Sequence, residues 1–262
     1  MSQVGTVKQL YRYPVKSMRG EALDEYFVGF SGVYGDRLYA YEQVGGSEGF
    51  PWLTARNQSA MLRCTPRFRN PSRAAAPSNL AAAQGLGPGI TPVYGSDDDL
   101  ALDVEGPDGD TYELSDPALN ALLLEGSGAS AIRLTRSVRA LTDCRPVSLI
   151  SVQTVEQLSA EHGADLDHRR FRPNFYADLD GLSGYAEADW IGRRVAIGGK
   201  VVLFVLEGDP RCKFITLDPE TGESTPSILR PVAQNHNNMA GIYAAVLVEG
   251  LVRTGDPIRL LD

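Results

Sequence analysis

The sequence predicts a mostly β, α+β protein with a barrel-like core and few helices. Three observations predict it. Short runs rich in β-branched and aromatic residues recur along the 262 residues. Glycine and proline turns separate them, as at Pro107-Asp108-Gly109 and Gly198-Gly199. Helix start and stop signals flank few segments. No GxGxxG follows a strand, and neither a Walker A loop nor HExxH occurs. Dinucleotide, P-loop and zincin chemistry therefore have little support.

Val7 to Tyr13 has strand composition, and Pro14 ends the pairing or sits at a sheet edge. Lys16 and Ser17 follow at the strand's mouth, where an ammonium, a hydroxyl and backbone N–H groups suit a phosphate; a solvated loop is the alternative. Ala22 to Gly29 and Arg37 to Val44 read as two more strands, with Gly32, Gly35 and Asp36 between them. Arg37 opens the second strand, and Trp52-Leu53-Thr54-Ala55-Arg56 brings another arginine after a loop. Arginines at strand ends suit bidentate contact with phosphate or carboxylate, or pair with surface acids.

From Asn70 to Asp99 the composition shifts to Ala, Pro, Gly, Ser and Asn, which predicts a long, mobile surface insertion. Leu100 to Val104 and Thr111 to Leu114 read as a hairpin. Asp116-Pro117 caps a helix over Ala118 to Leu124. Ala131 to Thr135 is a short strand, and Asp143-Cys144-Arg145-Pro146 leads into the strand Val147–Ser151. Val152 to His162 reads as a helix, with Thr154 and Gln157 spaced as a capping box and Gly163 as terminator. Ser151 then lies at a helix N-terminus, which favours an anion; a plain capping role fits it equally.

His168-Arg169-Arg170-Phe171-Arg172-Pro173-Asn174 is the densest basic cluster and leads into a strand at Phe175-Tyr176-Ala177. Arg172 and Asn174 would share one face of an extended segment, one for an anion and one for a heterocycle edge. Trp190 to Arg194 leads into a hairpin of Val195 to Ile197 and Lys200 to Leu206, and the second strand delivers Cys212. Gly241 to Val248 is strand-like, and Gly255-Asp256-Pro257 turns into a final strand.

Cys212 stands between Arg211 and Lys213, ahead of the turn Asp218-Pro219-Glu220-Thr221-Gly222. A thiol flanked by cations is shifted toward thiolate, the form that attacks electrophiles and binds soft metals. A half-buried structural cysteine is the alternative. The three cysteines show no CxxC spacing, which argues against a disulfide framework or a zinc knuckle. A net charge of −8 argues against nucleic-acid binding. No signal peptide and no 18-residue apolar window are visible, so the expectation is a reducing cytoplasm and no membrane span.

Taken in order, several of these pieces resemble the MOSC family, the molybdenum-cofactor-binding domain of cofactor sulfurases and amidoxime-reducing proteins. They are Tyr13-Pro14-Val15-Lys16-Ser17, Gly35-Asp36-Arg37, Leu53-Thr54-Ala55-Arg56, Val147-Ser148-Leu149-Ile150-Ser151, Phe171-Arg172-Pro173-Asn174, Arg211-Cys212 with its turn, and Gly255-Asp256-Pro257. The resemblance implies an N-terminal MOSC β-barrel domain over 1–135, with a flexible insertion near 70–99. A MOSC domain over 136–262 would pack against it, the boundary falling between Arg133 and Pro146. It implies Cys212 as catalytic thiolate and molybdenum ligand. Lys16, Ser17, Arg37, Arg56, Arg172 and Asn174 would hold the molybdopterin and its phosphate, with Ser151 nearby. The implied activity is reduction of N-hydroxylated small molecules.

Where many members carry a second cysteine, three residues before the ligand, this chain has Asp209, an acid that would oppose the lowering of the thiol pKa. No cysteine-rich ferredoxin-like segment follows Asp262, so electrons are expected from a separate flavin or iron–sulfur reductase. Any pyridoxal phosphate dependence would belong to a separate partner sulfurase. His236 either lines the pocket or stabilises its own loop. Two other readings remain: a sulfur carrier using a Cys212 persulfide, and a non-catalytic carrier of the cofactor.

Overall fold

The computed structural model describes residues 2–84 and 96–261. Seven strands close a barrel in the order Phe175–Leu179, Val147–Ser151, Met239–Val248, Val201–Pro210, Arg194–Ile197, Pro257–Leu261 and Ser2–Arg12, the last pairing back onto Phe175–Leu179. Closure removes the unpaired edges that an open sheet would present. The mostly β expectation holds. Inward-facing Val7, Leu10, Leu149, Phe175, Val195, Leu203, Ile242 and Ile258 fill the barrel. Gly5 sits at the closing seam, where a Cβ would lie 2.2 Å from the Asp178 carbonyl oxygen; only glycine lets the two strands approach there. The single parallel neighbour pair, Val147–Ser151 with Phe175–Leu179, is bridged by the helix Val152–His162, as a parallel connection requires.

The barrel takes its first strand from one end of the sequence and the other six from residues after 146. Most of the remaining N-terminal half builds a second core. The Tyr39–Gln43/Ile132–Arg136 ladder, the three-stranded sheet of Thr65–Phe68, Leu102–Glu105 and Thr111–Glu113, and the helix Pro117–Leu124 enclose Tyr41, Leu53, Met61, Leu102, Leu119 and Leu123. The two bodies are stitched in both directions, since Gly250–Arg253 pairs with Glu25–Gly29.

The expected strand Ala22 to Gly29 is broken at Asp24. Glu21–Leu23 extends the barrel sheet and Glu25–Gly29 joins the other one, so one run serves two sheets. The stretch 70–99 is also different from a free insertion in its described parts. Ala74 is fully buried and its carbonyl accepts from Arg12, Leu80–Gln84 is helical, and Asp99 is buried. Residues 85–95 of that stretch lie outside the described residues. Among the described residues no helix is long and apolar enough to cross a membrane.

Candidate functional site

One mouth of the barrel carries a polar cleft where strand ends and loops from both bodies meet. Lys16 and Ser17 enter from the end of the first strand, Arg37 from the loop before Tyr39–Gln43, and Arg56 from the loop after it. Arg172 and Asn174 enter ahead of Phe175–Leu179, and Cys212 from just beyond Val201–Pro210. Residues more than 190 positions apart are thus gathered by the barrel's closure.

Backbone strain marks the same place. Among the described non-glycine residues six have left-handed φ, and three of them line the cleft: Ser17 at 67°, Arg37 at 45° and Arg172 at 50°. A non-glycine residue in that region costs on the order of 1 kcal/mol, so the surrounding hydrogen bonds must hold it. Arg37 N–H donates to Tyr13 O and Leu141 N–H to Arg37 O; Arg172 N–H donates to Arg169 O, ending a 3-10 turn. Arg172 is therefore not on an extended segment with Asn174, contrary to the sequence expectation.

The electrostatics are those of an anion site. Arg37 and Arg172 lie on the Tyr13 ring, 4.7 and 4.1 Å from its centroid. Asp36, almost fully buried, accepts from Arg37 Nη1, from Tyr13 N–H at 2.7 Å and from Asn174 Nδ2 at 3.2 Å. Lys16 donates to Asp143 and to the Leu141 carbonyl. Burial presses the Lys16 ammonium below its ordinary value despite Asp143, and burial presses Arg172 down to about 10, still cationic at neutral pH. Burial pushes the Asp143 carboxyl up, but Lys16, with Arg37 and Arg56, together hold it below the usual carboxylate range. Arg172 Nη1 donates to the Met18 carbonyl, but its Nη2 is buried with no hydrogen-bond partner. A buried guanidinium donor without a hydrogen-bond partner among the described residues, beside two further cations, is suited to an anionic ligand.

The thiol sits at the rim. Cys212 is exposed, and Arg56 Nη1 is 3.9 Å from its sulfur. The flanking cations do not serve the thiol as their sequence positions suggested. Arg211 turns inward to the Ala240 and Phe171 carbonyls and to Asp209, while Lys213 reaches the Arg56 carbonyl. The cation that does contact the sulfur, Arg56, comes from a loop 156 residues away. The turn after it forms as expected: Asp218 accepts the N–H groups of Glu220 and Thr221, and Gly222 adopts φ 76° against Ser59.

Two expected site residues change roles. Ser151 is fully buried and does not line the cleft; it caps Val152–His162 by accepting the Thr154 N–H, so Ser151, and not Thr154, is the cap. Its hydroxyl and that of Thr154 both donate to buried Glu187, at 2.8 and 2.7 Å. Replacing Ser151 by alanine should cost roughly 1–3 kcal/mol in a denaturation midpoint, through the lost cap and a less satisfied buried carboxylate, and leave the cleft unchanged. Asn174 does line the cleft, but its Oδ1 accepts from Ser148 and its Nδ2 donates to Asp36 and the Tyr11 carbonyl. It braces Asp36 and has no free edge for a heterocycle. His236 pairs with Glu161 and stacks on Tyr185 at 3.8 Å, away from the cleft. Sequence reasoning did not single out Asp143, Ser148 or Tyr243, which also line it; Asp143 is an acid opposite Lys16 that only the fold brings there.

Residues 4–84 match the MOSC N-terminal beta barrel domain and residues 136–259 match the MOSC domain. The chain belongs to the MOSC family. Relatives of this MOSC protein include mitochondrial amidoxime reducing component 2 of Rattus norvegicus, 25% identical over all of this chain and 85% of the relative. Mitochondrial amidoxime-reducing component 1 of Mus musculus is likewise 25% identical, over 100% of this chain and 84% of its own length. Among solved structures, the YUAD protein of Bacillus subtilis aligns over 97% of this MOSC chain and 93% of its own, at 13% identity and a TM-score of 0.49.

Proposed function

We propose that the cleft holds a molybdenum-bearing pterin and that the protein uses it to reduce N-hydroxylated small molecules, with the Cys212 sulfur as the protein's ligand to the metal. The observation that carries this reading is the pairing of one exposed thiol with a wall of three cations, one of which has a buried donor left over. Among the described residues no cluster of three or more His, Cys, Asp or Glu could hold a metal ion, so a metal here needs a ligand set brought by the cofactor and completed by one sulfur. The family relatives named for amidoxime reduction support the substrate class.

In this reading Lys16, Ser17, Arg37 and Arg172 bind the pterin's phosphate. Asp36 holds Arg37 in its left-handed conformation, and Asn174 holds Asp36. Arg56 stays beside the sulfur and orients whatever approaches it at the rim. When bound, the metal supplies two-electron transfer to an N–O bond. Electrons come from a separate flavin or iron–sulfur protein.

The test is reduction of an aromatic amidoxime by molybdenum-loaded protein under a reduced viologen dye. Amidine should form in step with dye oxidation. Loaded protein that forms no amidine with any donor would instead make this a cofactor carrier. Protein without metal but with labile sulfur on Cys212 would make it a sulfur carrier, a role for which exposure of the thiol suffices.

A further inference from the structure

Reductive cleavage of an N-hydroxylated compound breaks the N–O bond and yields the amine and water. It consumes two electrons, supplied by the flavin or iron–sulfur reductant, and two protons. A titratable side chain of the cleft can supply one of those protons. Most of its titratable groups are unsuited to that task. The arginines do not release protons at working pH. Lys16 is tied to Asp143 and the Leu141 carbonyl, and Asp143 is held as a carboxylate. Burial pushes the Tyr243 phenol far above neutrality, and Cys212 is the proposed ligand. Asp209 is left.

Asp209 lines the cleft at the end of Val201–Pro210, three residues before Cys212, and is 2% exposed. One oxygen lies 2.7 Å from Arg211 Nη2, and the Tyr243 hydroxyl hydrogen-bonds to the carboxyl. Arg211 is fixed by two backbone carbonyls, so it stays in place whether or not Asp209 is charged. Building on the reductase reading, we infer that Asp209 is a catalytic acid: of the two protons consumed, it gives one to the departing hydroxyl oxygen, which leaves as water, while the nitrogen takes the other from solvent, and Asp209 regains its own from solvent through the cleft.

Burial pushes this carboxyl up to about 6, against the opposing pull of Arg211, the Tyr243 hydrogen bond and Arg37. Asp143, across the cleft, also favours the protonated form, Cys144 is a neighbouring thiol, and Lys16, Arg56, Arg145, Arg170 and Arg172 are the further cations lining the same cleft. The sign follows directly. The acid is protonated below about 6 and ionised above it, so the rate should fall as pH rises through that value.

The experiment compares molybdenum-loaded wild type, Asp209→Asn and Asp209→Glu for kcat/KM on an amidoxime across pH. Wild type should lose rate about tenfold per pH unit above its inflection. Asp209→Asn should lose at least ~10²-fold below the inflection and show none, and Asp209→Glu should regain it. A merely structural role would lower the rate and leave the pH profile in place, which would overturn the inference. A second readout needs no cofactor. Infrared difference spectra of the cofactor-free protein should show a protonated carboxyl band that disappears near pH 6 in wild type and is missing in Asp209→Asn; no such band would overturn the inference. Wild type that holds no molybdenum overturns the reductase reading and this one together. Loaded wild type whose rate ignores Asp209 overturns this one alone.

Discussion

Replacing Arg172 by alanine is expected to cost the cleft at least ~30-fold in affinity for its phosphate-bearing ligand, about 2–5 kcal/mol, without destabilising the ligand-free fold. The cost on binding follows from the loss of a desolvated, hydrogen-bonding cation. The neutrality toward folding follows from how that cation is held. Arg37 has Asp36 and Lys16 has Asp143, but Arg172 has no ion pair among the described residues. It makes one hydrogen bond to Met18, leaves Nη2 without a partner, and carries a left-handed backbone. In the ligand-free protein it is a strained and partly unsatisfied charge, a stability cost retained for binding. Removing it gives up contacts with the Tyr13 and Phe214 rings and relieves repulsion from Arg37, two effects of opposite sign. Molybdenum and pterin content after purification reads the first effect, and thermal melting of cofactor-free protein reads the second. A variant that melts many degrees lower yet keeps its cofactor would make Arg172 a structural residue.

Replacing Asp36 by alanine should have the largest effect on stability, about 3–5 kcal/mol, which for a chain of this size lowers the melting point by roughly 6–20 °C. The carboxylate is 1% exposed and answers three donors at once: the Tyr13 amide, the Arg37 guanidinium and the Asn174 amide. Its loss strands a half-buried cation and two buried donors on the wall of the cleft. The cofactor should be lost along with stability, because Arg37 loses its anchor. A melting point within a degree or two of wild type would show that Arg37 and Asn174 find other partners.

These two residues show how far the sequence could be read. The loop at Lys16 and Ser17, the arginines and the cysteine each had a plainer reading singly; only their order, through the family resemblance, drew them together, and the fold brings them to one cleft. Periodicity and turns marked the barrel hairpins, and Asp116 and Gly163 fixed helix ends by local hydrogen bonding. Partnership was not legible. Whether Arg211 or Arg56 faces the thiol depends on which way the chain leaves Val201–Pro210, and that is set by contacts with Ala240 and Phe171 far along the sequence. Ser151 carried two equal local readings, anion binding and capping, and buried Glu187 decides between them. Asp36 stood out as a turn residue and as part of Gly35-Asp36-Arg37, but not as a hub, since two of the donors it serves, on Tyr13 and Asn174, come from distant segments.

The most direct test of the whole account is elemental analysis for molybdenum on freshly purified protein from a host that makes the cofactor, wild type beside Cys212→Ala. Cys212 is exposed and, among the described residues, its sulfur's hydrogen-bond contact is the long one to Arg56, so the alanine variant should fold as wild type does. The account predicts near-stoichiometric metal in the wild type and its loss in the variant. Equal metal in both would remove the sulfur from the metal site, and metal in neither, with both proteins folded, would contradict the cofactor assignment itself.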